Sequence, residues 1–96
     1  MDYDQAFGSV FRALRLHKGL TQEAFQPIVT ERYIRNIEKG EYSPSIALVR
    51  NLCGILDVNP AMLITLVEAK HTGEDWETLI KAANLELKSA MKTLKI

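Results

Sequence analysis

The chain holds one cysteine, three prolines and five glycines in 96 residues, and neither sign of charge is in excess. Each scarcity removes a class of protein. A lone Cys53 cannot close an internal disulfide, which excludes a small disulfide-stapled scaffold, and its place in the apolar periodicity of "IALVRNLCGIL" marks it as a buried structural thiol. The longest apolar run, "AMLITLV", falls far short of the ~20 residues a membrane span requires. The start, "MDYDQ", is acidic, unlike a secretory leader. A soluble, untargeted, intracellular protein is expected. Twelve basic and twelve acidic residues cancel, so no global positive field announces nucleic acid. The chain has no Gly-rich phosphate loop, no Ser/His/Asp or Cys/His set and no close carboxylate pair. His17 and His71 have no second metal ligand at usable spacing. An enzyme, a metal site and a cofactor are therefore not expected.

What the chain does have is helical periodicity nearly throughout, with no strand-length β-branched alternation, and 47% apolar residues suffice for one small core. The first helix is predicted over about Asp4 to Lys18, with Phe7, Val10, Phe11 and Leu14 inward and Gly19 ending it. Thr21 is expected to N-cap a second helix, and Thr30 a third that runs to Lys39 and closes at Gly40. In "SPS", Ser43 is the expected N-cap of a fourth helix with Pro44 at its first position. Ile46, Val49, Leu52, Cys53 and Leu56 form its buried face. Asn59-Pro60 starts a fifth helix through about Ala69. "KHTGED" breaks the pattern before Asp75 caps a last helix over Trp76 to Leu94.

The basic surplus is local: Arg12, Arg15, Lys18, Arg32, Arg35 and Lys39 stand against Glu23, Glu31 and Glu38 between residues 12 and 39. At ~100° per residue, Ile34 and Ile37 define the buried side of the third helix and leave Arg32, Arg35, Asn36 and Lys39 opposite, with Thr30 and Glu31 at the leading edge. Arginine matches the two acceptors of guanine and asparagine pairs bidentately with adenine, so this face is equipped to read bases. Taken alone, a short helix solvating its outer face with charges accounts for the same pattern.

The order of four fragments, "RLHKGLTQE", "NIEKG", "EYSPS" and "CGILDVNPAML", resembles the Cro/C1-type (Xre-like) helix-turn-helix family over about Phe7 to Leu66. The family's usual connection between Thr-Gln and Glu-basic-Gly is two residues longer and carries a glycine in its turn. "TQEAF" and "ERYI" look like a short-turn branch, in which Pro27 terminates the second helix instead of sitting inside it at a cost of ~3 kcal/mol. The resemblance implies an all-α fold, a five-helix lambda-repressor-like domain plus a C-terminal amphipathic helix. It also implies double-stranded DNA as partner. Thr21 and Gln22 would face the DNA backbone. Thr30, Glu31, Arg32, Arg35 and Asn36 would line the major groove, with Tyr33, Lys39, Tyr42 and Ser43 at its phosphate edges. Arg15 and Glu38 match a pair that forms a partly buried, structural salt bridge in the family.

In the last helix Trp76, Ile80, Ala83, Leu87, Ala90 and Leu94 recur at alternating intervals of four and three, a coiled-coil-like seam, and Leu79, Leu85 and Met91 widen it. It either mediates a homodimer or completes the core. Residues 1–70 are thus expected to form the DNA-binding domain and 71–96 a helix for dimerisation or core completion. The expected function is a cytoplasmic, bacterial or phage-encoded transcriptional regulator, a homodimeric repressor reading a palindromic operator through its third helix, without a membrane. The alternatives are the antitoxin of a toxin-antitoxin pair, with a toxin as protein partner on the last helix, and a restriction-modification controller.

Overall fold

The computed structural model describes residues 1–95. It is all-helical: α1 (Tyr3–His17), a single-turn 3-10 segment (Gln22–Phe25), α2 (Glu31–Glu38), α3 (Ile46–Leu56), α4 (Pro60–Thr72) and α5 (Trp76–Leu94). The first five segments enclose the core and the sixth lies outside it.

The core follows from the periodicity. Phe7 and Phe11 of α1 stack, Phe11 leans on Phe25 at 5.2 Å, and Ile34, Ile37, Leu52, Leu56, Leu63 and Val67 complete a cluster in which most members have no exposed surface. Burying a side chain of this size contributes roughly 1.5–3 kcal/mol, so this cluster is what holds five short segments in one arrangement. Cys53 is part of it, and burial pushes its thiol above its ordinary range.

The turns show where local chemistry decided the boundaries. Gly19 and Gly40 both follow a helix in the left-handed region, at φ 71° and 78°, which a glycine occupies without strain. The Thr30 hydroxyl accepts from the Tyr33 amide at 3.1 Å and the Asn59 side chain from the Ala61 amide at 2.8 Å, each satisfying a first-turn donor. Lys18 reaches across to donate to the Asp57 carbonyl at the end of α3.

Several expectations are corrected. The second helix is one 3-10 turn rather than an α-helix, because only five residues separate Thr21 from Pro27, and the Thr21 side chain makes no capping bond. Ser45, not Ser43, caps α3, its hydroxyl accepting from the Leu48 amide, and Pro44 lies in the extended loop before the cap. Ile46 is 85% exposed, since it sits in the first turn of α3 before the helix reaches the core. α4 continues past Ala69 to Thr72, where Gly73 ends it at φ 79°. Asp75 stands at the N-cap position of α5 without a side-chain bond.

α5 rests on α4 alone by any extended contact, and none of its described residues is buried. In a single chain it does not complete the core. Among the described residues no single helix is long and apolar enough to cross a membrane. α3 and α4 together have the composition, but they are bent by 110° and bury Leu52, Leu56, Leu63 and Val67 in the core.

Candidate nucleic-acid interface

The interface is built on how α2 is fixed to α1. Gly8 lies in the middle of α1, where a Cβ would stand 2.9 Å from the Glu38 carbonyl oxygen and nearer still to that of Ile37. The end of α2 therefore packs backbone against backbone. A glycine inside a helix costs about 1 kcal/mol relative to alanine, so its presence in an otherwise strong helical pattern was the available signal for this close approach.

A charged cluster locks the same junction. The Arg15 Nε donates to Glu38 Oε2 at 2.6 Å and Nη2 to Oε1 at 2.9 Å, a two-pronged pair, while Nη1 donates to the Leu20 carbonyl at 2.9 Å. Both side chains are under a tenth exposed. The hydrogen bond to Glu38 holds the Arg15 guanidinium above its ordinary pKa, against the opposing effect of burial. Gln22 joins through Nε2, which donates to Glu38 Oε1 at 3.1 Å. Its half-buried amide thus turns inward, where the family resemblance implied that Gln22 faces the DNA backbone. The cluster ties α1, the 3-10 turn and α2 together, and no buried side-chain polar atom among the described residues lacks a partner.

With Ile34 and Ile37 wholly buried, the opposite side of α2 faces solvent. Arg32, Arg35 and Lys39 are exposed and Asn36 is half-buried. Glu31 accepts from Arg35 Nη2 at 3.0 Å, one turn along the helix, and so restrains the guanidinium above this face. Tyr33 stacks on Tyr42 at 5.3 Å, joining α2 to the loop that carries exposed Ser43. Thr21 is exposed on the neighbouring turn, and Thr30 caps α2. Arg12, not among the residues singled out from sequence, lines with Thr21, Gln22 and Glu31 a shallow recess between α1 and the start of α2. Its signal was the local basic surplus, three residues before Arg15.

The remaining sequence candidates lie away from this surface. On α5, Trp76, Ile80, Ala83, Leu87 and Leu94 are exposed, as is Met91, while Leu79 and Ala90 are half-buried. Of the two histidines, His71 donates through Nδ1 to the Met1 carbonyl at 2.9 Å and meets Tyr3 edge-on.

Two helical segments joined by a short turn are also what the matching family model describes. A family model described as helix-turn-helix matches residues 11–63. The protein named as an uncharacterized HTH-type transcriptional regulator, y4dJ of Sinorhizobium fredii (strain NBRC 101917 / NGR234), is 33% identical over 67 residues, 68% of this chain and 87% of that one. The crystal structure of the clp gene regulator ClgR from Corynebacterium glutamicum matches with a TM-score of 0.68 over 96% of this chain and 93% of that one. At 22% identity that likeness speaks for the fold. The chain belongs to the Cro/C1-type helix-turn-helix family of DNA-binding transcriptional regulators.

Proposed function

We propose that the protein is a cytoplasmic homodimeric repressor that reads a palindromic operator by laying α2 in the major groove. The observation that carries this is the pairing of exposed Arg32 and Arg35 on the side of α2 opposite Ile34 and Ile37, with Arg35 steadied by Glu31. Arg32, Arg35 and Asn36 meet base edges, with Thr30 and Glu31 at the leading end. Tyr33, Lys39, Tyr42 and Ser43 meet phosphates, as do Thr21 and Gln22, the latter with whatever hydrogen-bonding capacity its link to Glu38 leaves. Arg12 joins them from α1. Residues 1–70 carry the DNA contacts and 71–96, from the last turn of α4 onward, the dimer contacts. The unburied α5 seam supports the dimer, because Trp76, Ile80, Leu87 and Leu94 are each about half exposed or more in one chain. The same seam would serve an antitoxin covering a small toxin, and co-purification of a second, smaller protein in stoichiometric amount would favour that reading.

Selection of DNA from a random pool tests the proposal. The selected site should be a palindrome with half-sites about one helical turn apart, ~34 Å, or a multiple of it. Arg32→Ala or Arg35→Ala should then weaken binding to that site by ~1–3 kcal/mol and relax preference at particular bases. Equal losses on selected and random DNA would assign the two arginines to the phosphates.

A further inference from the structure

We propose that two copies of the chain pair along α5 in antiparallel orientation, forming a helix pair whose layers each join one larger and one smaller side chain. This rests on the homodimer reading above and fixes what that reading leaves open, the direction of the two helices.

The first argument is size. The seam alternates large and small: Ile80, Ala83, Leu87, Ala90, Leu94. In a two-stranded coil the two seam positions of the heptad meet like with like when the helices are parallel and meet each other when they are antiparallel. Parallel pairing would stack Ile80 on Ile80 and Leu87 on Leu87, then Ala83 on Ala83 and Ala90 on Ala90. Helices held apart by the large layers would leave voids at the alanine layers, and such voids are costly. Antiparallel pairing sets Ile80 against Ala90 and Ala83 against Leu87 of the second copy, so every central layer has the same width. Trp76 then covers Leu94 at either end.

The second argument is charge. Glu74, Asp75 and Glu77 stand at the start of α5, and Lys88, Lys92 and Lys95 at its end. Antiparallel helices bring the acidic start of one beside the basic end of the other, twice by symmetry, and oppose their dipoles. Parallel helices would align like charges. Glu77 lies with Lys81, Asn84 and Leu87 beside Trp76 and Ile80, the last two also bordering α4, which places it at the rim of the apolar row that the second helix would cover.

The third is availability. α5 meets α4 chiefly through its first half, beside Ile64 and Thr65, and leaves Ile80 46%, Leu87 61% and Leu94 58% exposed. A continuous apolar row at these exposures is what a second copy would cover.

Disulfide trapping in the full chain reads the direction. Single variants Ile80→Cys and Ala90→Cys are mixed, equilibrated and mildly oxidised, and the products are separated without reductant. Wild type serves as control, since its own Cys53 is buried. A mixed disulfide between the two variants, with no disulfide within either variant alone, is the expected result. Ten residues separate the two positions, ~15 Å of helix, more than twice the Cα spacing a disulfide tolerates. Disulfides within each variant alone would establish parallel pairing and overturn the proposal. Sedimentation of the wild type separates the remaining outcomes. A dimer that gives no mixed disulfide overturns the antiparallel pairing while leaving the homodimer standing, and a monomer overturns both.

Discussion

The junction of α1 with α2 and the surface of α5 use apolar residues in opposite ways. At the junction Phe11, Phe25, Ile34 and Ile37 have no exposed surface, and a buried ion pair is satisfied on every side. On α5 a seam of comparable length has no fully buried member among the described residues. Amphipathic periodicity alone does not distinguish the two. The difference is what else reaches the same volume: α1, the 3-10 turn, α2, α3 and α4 all contribute to the cluster that holds Phe11, whereas α5 makes extended contact with α4 alone. A helix pattern thus says that a face will be covered, and the rest of the chain says whether the cover is internal.

The comparison breaks most severely at the ion pair. Removing either Arg15 or Glu38 strands a charge that is more than nine-tenths buried and should cost ~3–5 kcal/mol of folding stability. Removing both should cost less than the sum, as denaturant unfolding of the double-mutant cycle would record. Strict additivity would mean that the pair is not coupled. Next is Gly8→Ala, whose Cβ collides with the carbonyl oxygens of Ile37 and Glu38 and forces α2 away from α1. Overpacking of this kind costs ~1–3 kcal/mol, and weaker DNA binding should accompany the lower melting temperature because the angle of α2 changes. An unchanged melting temperature would show that the helices separate freely. Smallest is Leu87→Glu on α5. An exposed substitution should alter folding by no more than ~0.5 kcal/mol, yet sedimentation should show the proposed dimer weakened. Loss of folding would place Leu87 with the core residues.

Most of the fold was legible because its determinants are local. Phe7, Val10 and Phe11 lie on one helix face, Thr30 and Asn59 are capping residues before apolar runs, and Gly19 and Gly40 stand where helices must stop. Choices between equivalent neighbours were not. Ser43 and Ser45 flank the same proline, and only the packing of α3 decides which hydroxyl caps it. Ile46 fits the α3 stripe but precedes the point where other segments arrive. In the interface, the outward face of α2 could be read from Ile34 and Ile37, whereas Gln22 could not: its amide turns inward because Glu38, sixteen residues later, has an acceptor left for it. The long-range Arg15–Glu38 contact came from family likeness, since nothing in the spacing of two single charges twenty-three residues apart selects it.

The contact between Gly8 and the end of α2 separates two tasks along one eight-residue helix. Its anchoring is done by Ile34 and Ile37 in the core, by Glu38 on Arg15, and by main-chain atoms against Gly8, while Arg32, Arg35 and Lys39 are exposed. These outward side chains are therefore free to vary without disturbing the scaffold. Under the proposed function, operator preference would drift or be re-engineered by exchanging a few side chains, while the frame that aims them stays constant.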